Sequence, residues 1–137
     1  MANGQEAQIY NIRSNPEDFE DNIVYDKAFA FAIRIVKAYK YLVAEKKEFV
    51  LSNQLLRCGT SIGANVAEAK GGISKADFSN KISIAYKECL ETKYWLSLLK
   101  ETDYISDAAF ASMYNDADEI ARILFSILKK TRLHSRP

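Results

Sequence analysis

The sequence is poor in the residues from which most catalytic and metal sites are built. It has one histidine and two cysteines in 137 residues. The single histidine, His134, lies in a basic polar segment, so histidine-based catalysis and the Glu-x-x-His di-iron sites of ferritin-like bundles are excluded. Cys58 and Cys89 are candidates for a metal or redox pair, or for small buried hydrophobes. We favour burial, because structural zinc needs four ligands and no other thiol is available. The sequence therefore predicts no cofactor, no metal and no enzymatic activity.

Strong charge of one sign and long uncharged apolar runs are also lacking. The formal net charge is +1, so no global field attracts nucleic acid or a membrane surface. The richest apolar stretch, residues 23–44, contains five charged residues, which argues against a membrane span. Residues 1–10 are polar and lack the apolar core of a signal peptide. We expect a cytoplasmic protein with reduced thiols and no membrane partner.

What the sequence does contain is helical periodicity. With 48% hydrophobic residues, the chain can build one domain with a core. Apolar residues recur in steps of three and four over four segments, and no segment alternates as a strand does. The predicted helices cover residues 23–46, 52–70, 75–101 and 107–130. Short links between them predict an all-α, antiparallel up-down-up-down four-helix bundle.

Polar segments flank this predicted bundle. Residues 1–21 are expected to form a flexible acidic arm, residues 22–130 the bundle, and residues 131–137 a basic, frayed tail. Asn15 and Pro16 have the pattern of either a helix start or a bend. Within the bundle, Ser74 and Ser106 are predicted N-caps. Gly71 and Gly72 are predicted to end helix 2 through left-handed cap geometry.

Two features of the helices predict close packing. On a helical wheel, helix 1 is apolar over roughly 220°, about twice the width that a surface helix needs. A second subunit is the simplest cover for that excess, so the sequence predicts self-association. In helix 2, Gly59, Gly63 and Ala67 form a ridge of small residues, which predicts the close approach of another backbone.

Basic residues cluster on one face of helix 1 and in the tail. This face can be an ordinary solvated surface, or it can bind single-stranded nucleic acid through phosphate contacts and base stacking. The candidate nucleic-acid-binding residues are Lys27, Arg34, Lys37, Lys40, Tyr41, Lys129, Lys130 and Arg132.

A second set of polar residues accompanies the apolar seams of helices 2 and 3. Acid–base catalysis by the glutamates would need a metal, a nucleophile or a phosphate loop, none of which the sequence indicates. We interpret the set as a hydrogen-bonded polar layer that fixes helix register. Its predicted members are Ser61, Asn65, Glu68, Glu88 and Glu91. The Lys70–Ser74 segment lacks the Walker pattern, and we interpret it as one helix end followed by the next cap.

Helix 2 also carries a family resemblance. Leu55-Leu56-Arg57 and the run from Ser61 to Ala69, with its Ser-x-x-x-Asn-x-x-Glu spacing, resemble the signature of the four-helix-bundle family known from intervening sequences of bacterial 23S ribosomal RNA genes. Phe19-Glu20-Asp21, Lys75-Ala76-Asp77-Phe78 and Tyr104-Ile105-Ser106 also resemble that family, and the similarity covers about residues 19–130.

The resemblance implies a homopentameric ring. It also implies similarity to the accessory protein of diversity-generating retroelements, which binds nucleic acid and a reverse transcriptase. Our main hypothesis is an oligomeric, non-enzymatic adaptor that binds RNA, DNA or a nucleic-acid-processing protein. The alternative is a protein-interaction scaffold with no nucleic-acid role, favoured by the near-neutral charge and by Tyr86, Tyr94 and Trp95, which are predicted to be exposed.

Overall fold

The computed structural model describes the backbone of residues 16–134 and the side chains of residues 21–131. Four helices make up this part of the chain: α1 (Pro16–Ala44), α2 (Leu51–Lys70), α3 (Lys75–Glu101) and α4 (Asp107–His134). None of these four helices has an apolar stretch long enough to cross a membrane.

Neighbouring helices run antiparallel, as cross-helix contacts show. Along α2, Gly59 packs on Ile35 and Gly63 packs on Ala28, so the residue number in α1 falls as that in α2 rises. Each helix contacts two others, and within the described residues α1 does not contact α3 and α2 does not contact α4. The predicted all-α up-down-up-down four-helix bundle is confirmed.

The core is built from the predicted apolar seams. Fully buried side chains come from every helix, with Phe31 and Ile35 in α1, Ile62 in α2, Leu96 in α3 and Leu124 in α4. Cys58 and Cys89 are both buried, as predicted, and the thiol of Cys58 lies 3.3 Å from the hydroxyl of Thr92 on α3. These residues pack as small core side chains.

The helix boundaries differ from the predicted ones at the two ends of the bundle. Helix α1 begins at Pro16, not at residue 23, and so includes part of the predicted arm. Proline is compatible with a first helical turn, because the amide hydrogen that it lacks has no partner there. Helix α4 continues to His134, so most of the predicted tail is helical. The predicted cap at Asn15, residues 1–15 and residues 135–137 lie outside the described residues.

The caps are partly as predicted. Ser74 and Ser106 accept hydrogen bonds from the amides of Asp77 and Ala109, at 3.0 and 3.1 Å. The left-handed geometry predicted for the end of α2 is wrong, because Gly71 has φ −90° and ψ 7°. Glycine relieves crowding at Gly72, since a Cβ there would lie 3.0 Å from the carbonyl oxygen of Ala69, a tight contact.

The small-residue ridge of α2 lies against α1, as predicted. A Cβ on Gly59 would come within 2.7 Å of both Cγ1 and Cδ1 of Ile35 and within 2.9 Å of its Cγ2. These atoms belong to a buried β-branched side chain that has little room to turn. At Gly63, the nearest atom to an added Cβ would be the carbonyl oxygen of Ala28 at 3.5 Å, an ordinary contact.

We therefore expect Gly59→Ala to destabilise the bundle and Gly63→Ala not to. Overpacking a core costs about 1–3 kcal/mol, which exceeds the gain of up to about 1 kcal/mol from replacing a helical glycine. Gly63→Ala keeps that gain without the clash, so it serves as the matched control. Urea denaturation should show a lower free energy of unfolding for Gly59→Ala alone. Equal effects of the two substitutions would contradict the close approach at Ile35.

Candidate functional site

The predicted basic face of α1 is divided by ion pairs to α4. The ammonium of Lys27 lies 2.7 Å from the carboxylate of Glu119. The guanidinium of Arg34 pairs with the carboxylate of Asp116 and donates to the hydroxyl of Ser112 at 2.9 Å. These two cations are therefore partly neutralised within the bundle and join α1 to α4.

Farther along α1 the cations have no such partners. Lys37 and Lys40 are exposed, and neither forms an ion pair within residues 21–131. Tyr41, 47% exposed, follows at the same end of the helix. The link to α2 then brings exposed Lys46 and Lys47 and the Phe49 ring, which is 59% exposed. We call Lys37, Tyr41, Lys46, Lys47 and Phe49 the α1-end surface.

The other predicted basic residues lie at the opposite end of the bundle. Lys129 and Lys130 are exposed near the end of α4, and the ammonium of Lys129 lies 5.6 Å from the centroid of the Phe125 ring. The helical rise places them on the order of 30 Å from Lys37. The side chain of Arg132 lies outside the described residues. The structure thus separates the predicted basic residues into two surfaces.

The backbone of the α1-end surface is held by a glutamate that the sequence analysis missed. The Glu48 carboxylate accepts hydrogen bonds from the amides of Val50, Leu51 and Ser52, at 3.1, 2.9 and 2.6 Å. In return, the Ser52 hydroxyl donates to the Glu48 carbonyl at 2.7 Å. The Glu48 side chain therefore caps the start of α2, where Val50 provides no side-chain cap.

The end of α1 is closed by a separate backbone hydrogen bond. The amide of Glu48 donates to the carbonyl of Leu42 at 3.0 Å, while Lys47 adopts φ 52°. Lys47 lies three residues after the end of α1, in a left-handed conformation in which glycine is the common residue. The two caps together fix the path of the Lys46–Phe49 link.

The capping hydrogen bonds also affect the pKa of Glu48. Burial raises the pKa, but the hydrogen bonds from Leu51, Ser52 and Val50 lower it by more, and the net pKa lies below the usual range. The anion is therefore the form that stabilises the native fold. Since the pKa is lowered on folding, the stabilisation is present above the unfolded pKa of about 4.3 and is lost as pH falls through the folded value.

The predicted polar layer is divided into three separate groups along α2 and α3. Arg57 bridges Glu88, at 3.3 Å, and Glu91. Asn65 donates to the carbonyl and hydroxyl oxygens of Ser61, at 2.8 and 3.0 Å, within α2 itself. Glu68 pairs with Lys81 at 2.7 Å. The first and third groups join α2 to α3. Arg57, which the prediction did not include, is the central cation of the first group.

Burial is the main cause of the pKa shifts of Glu88 and of the two cysteines on α2 and α3. Burial raises the pKa of Glu88, while the charge of Arg57 acts in the opposite direction. Burial also raises the pKa of the Cys58 thiol to about 11 and that of the Cys89 thiol to about 12. Both thiols are therefore protonated at neutral pH and are poor nucleophiles or metal ligands. Among the described residues, no cluster of histidine, cysteine, aspartate and glutamate could hold a metal ion.

Fold and comparison together place the chain in a family. The architecture is that of the all-α antiparallel four-helix bundles. Residues 20–126 match the family of 23S rRNA-intervening sequence proteins, and the chain belongs to this family. It is similar to a crystal structure of a protein with unknown function from the S23 ribosomal protein family of Bacteroides thetaiotaomicron VPI-5482, with a TM-score of 0.80 and 55% sequence identity, over 80% of this chain and 98% of that one. No curated protein matches the chain.

The family membership confirms the resemblance that helix 2 carries in the sequence. The relation to accessory proteins of diversity-generating retroelements stays a prediction, as do the subunit number and the ligand.

Glu48→Gln should weaken the start of α2, because the neutral amide is a poorer acceptor for three backbone amides. Loss of a helix cap costs about 1 kcal/mol, so the free energy of unfolding at pH 7 should fall by roughly that amount. The gap between the variant and the native sequence should narrow below about pH 4, as the native carboxylate becomes protonated. Exposed Glu45, which forms no ion pair within residues 21–131, gives the control, and Glu45→Gln should leave the free energy of unfolding at pH 7 nearly unchanged.

Proposed function

We propose that this chain is a non-enzymatic oligomeric adaptor that binds single-stranded nucleic acid through the α1-end surface. The observation that carries the proposal is a group of unpaired lysines beside exposed aromatic rings. Residues 37–47 contain four lysines and one acid, Glu45. Lysines contact phosphates, and exposed rings stack on unpaired bases, which together describe sequence-tolerant binding of single strands.

Rigidity supports this surface as a binding site. The Glu48 cap and the left-handed Lys47 fix the link that carries Lys46 and Phe49. A surface ordered before binding loses less conformational entropy when a ligand arrives. Lys27 and Arg34 support the proposal in a different way, since their pairing with α4 leaves the unpaired charge concentrated at the end of α1.

Self-association supports the adaptor part of the proposal. Phe29 and Ile33 on α1 are 57% and 45% exposed, which leaves part of the wide apolar arc uncovered within one chain. The family resemblance implies a homopentamer, and an oligomer would present several copies of the α1-end surface. Linked copies raise avidity without any new contact, which compensates for a small patch on a nearly neutral chain.

Charge reversal in the α1-end surface tests the proposal. We expect Lys46→Glu/Lys47→Glu to weaken binding of a fluorescein-labelled single-stranded RNA strongly, while leaving enough affinity at low salt for a slope to be measured. Fluorescence anisotropy at several salt concentrations gives the affinity and its salt slope. Each lysine that contacts a phosphate contributes about 0.7 to the slope for a single strand, so the native slope should exceed that of the variant by about 1.4.

Lys129→Glu/Lys130→Glu makes the same change in charge at the far end of the bundle and is the matched control. Retained binding in this control, with loss in the first variant, locates the site at the end of α1. Binding lost only in the control would place the site on α4. Absence of salt-dependent binding by the native protein would contradict the nucleic-acid role altogether.

A protein-interaction scaffold is the second candidate, favoured by exposed apolar residues in the connections. Val50 and Ile73 are 71% and 97% exposed. Of the three aromatic residues predicted to be exposed, Tyr94 is 59% exposed. Tyr86 and Trp95 are partly buried and pack against the core. Recovery of a stoichiometric protein partner after nuclease treatment, with no RNA binding, would favour the scaffold.

A further inference from the structure

The side of α1 that faces away from the bundle carries an apolar stripe with a charge at each end. Phe29 and Ile33 are 57% and 45% exposed, one helical turn apart. Asp26 precedes them and Lys40 follows, both exposed and neither ion-paired within the described residues. In the order of the chain, the stripe therefore reads acid, apolar, apolar, base.

Helix α3 carries a matching stripe on the opposite side of the bundle. Leu90 and Tyr94 are 44% and 59% exposed and again lie one turn apart. Exposed Lys87 precedes them, and the carboxylate of Glu101, 75% exposed, follows with the ammonium of Lys100 at 3.9 Å. This stripe reads base, apolar, apolar, acid.

The two stripes have the same spacing with the charges exchanged. Both follow steps of three, four and seven residues, a single face of a helix in heptad register. A shift of 61 residue numbers brings Phe29 level with Leu90 and Ile33 level with Tyr94. The same shift brings opposite charges together at both ends of the stripe.

The relative direction of α1 and α3 decides whether these opposite charges meet when the two stripes of different copies come into contact. In an up-down-up-down bundle α1 and α3 run parallel, and they occupy opposite corners because they do not contact each other within the described residues. Parallel alignment places Asp26 beside Lys87 and Lys40 beside Glu101. Antiparallel alignment would place Asp26 beside Glu101 and Lys40 beside Lys87, and like charges at contact are destabilising.

We infer that the outer face of α1 docks on the outer face of α3 of a second copy of this chain. The two helices run parallel, and each residue of the α1 stripe lies level with the α3 residue whose number is higher by 61. The inference rests on the oligomeric part of the proposed function and specifies its contact. Because the two faces differ and lie on opposite sides of one bundle, the contact is heterologous, and repetition closes a ring when the rotation permits. Lys40 then belongs to the subunit contact, which leaves Lys37 and the rest of the α1-end surface for nucleic acid.

Complementation between two defective faces tests the contact. Ile33→Glu damages the α1 stripe, and Tyr94→Glu damages the α3 stripe, while both side chains are exposed in the single chain. Light scattering after gel filtration, without nucleic acid, should show an oligomer for the native protein and a monomer for each variant. A mixture of the two variants should give a dimer, since one intact α1 face meets one intact α3 face. Ile73→Glu, the same change at a residue 97% exposed in the α2–α3 link, should keep the native mass.

The charge pairs test the register. Asp26→Lys and Lys87→Asp should each raise the concentration for half-dissociation by about tenfold or more, and the double variant should restore it. Lys75→Asp, at an exposed position near the start of α3, is the control and should leave it unchanged.

The outcomes that overturn the inference are distinct. A monomeric native protein, or a mixture that remains monomeric, refutes the α1–α3 contact. If Lys87→Asp weakens association but Asp26→Lys does not, an antiparallel α3–α3 contact takes its place. If the double variant associates no more tightly than the two single variants, the proposed register is refuted. Since Asp26, Ile33, Lys87 and Tyr94 lie outside the α1-end surface, RNA binding by a monomeric variant would show that the proposed nucleic-acid site stands without the contact.

Discussion

Each helix of the bundle can turn only one apolar seam towards the common core, and this constraint determines the use of its other sides. Contact with two neighbours occupies the flanks, where charged residues pair across helices, as Arg57 does with Glu88 and Lys27 does with Glu119. The remaining side faces outwards. The flanks therefore hold the register of the bundle, while the outer sides and the helix ends are available for partners.

The seams and two of the caps could be predicted from the sequence because they depend on local spacing. Steps of three and four residues define a core face whatever the neighbouring helix contains, and Ser74 caps α3 through an amide three residues away. The cap of α2 was missed because Glu48 stands three residues before the helix, outside the usual N-cap pattern. The end of α2 was misjudged because Gly71 ends the helix without a positive φ, and glycine at the next position relieves crowding instead of allowing a left-handed backbone.

The basic face was predicted only in part, for a reason that concerns register. A helical wheel shows that Lys27 and Arg34 share a side of α1 with Lys37, but it cannot show which residues of α4 lie beside them. The relative position of two antiparallel helices decides that Glu119 and Asp116 reach the first two cations and not the third. Side-chain charge alone therefore overestimates the unpaired positive surface, and the distinction requires the packed structure.

The apolar arc of α1 links the two proposals through the geometry of one helix. Successive residues differ by about 100° around the axis, so Lys37 and Lys40 point roughly 60° apart although they lie within one turn. Lys40 is aligned with Ile33 on the outward stripe, whereas Lys37 is turned towards the side that carries Tyr41. One helix end can therefore place one lysine in a subunit contact and offer another to a phosphate. Assembly through the outward stripe would leave Lys46, Lys47 and Phe49 uncovered, since they follow the end of α1 and lie beyond the stripe. An oligomer built in this way repeats the basic aromatic surface without burying it, which is the arrangement that avidity for a single strand requires.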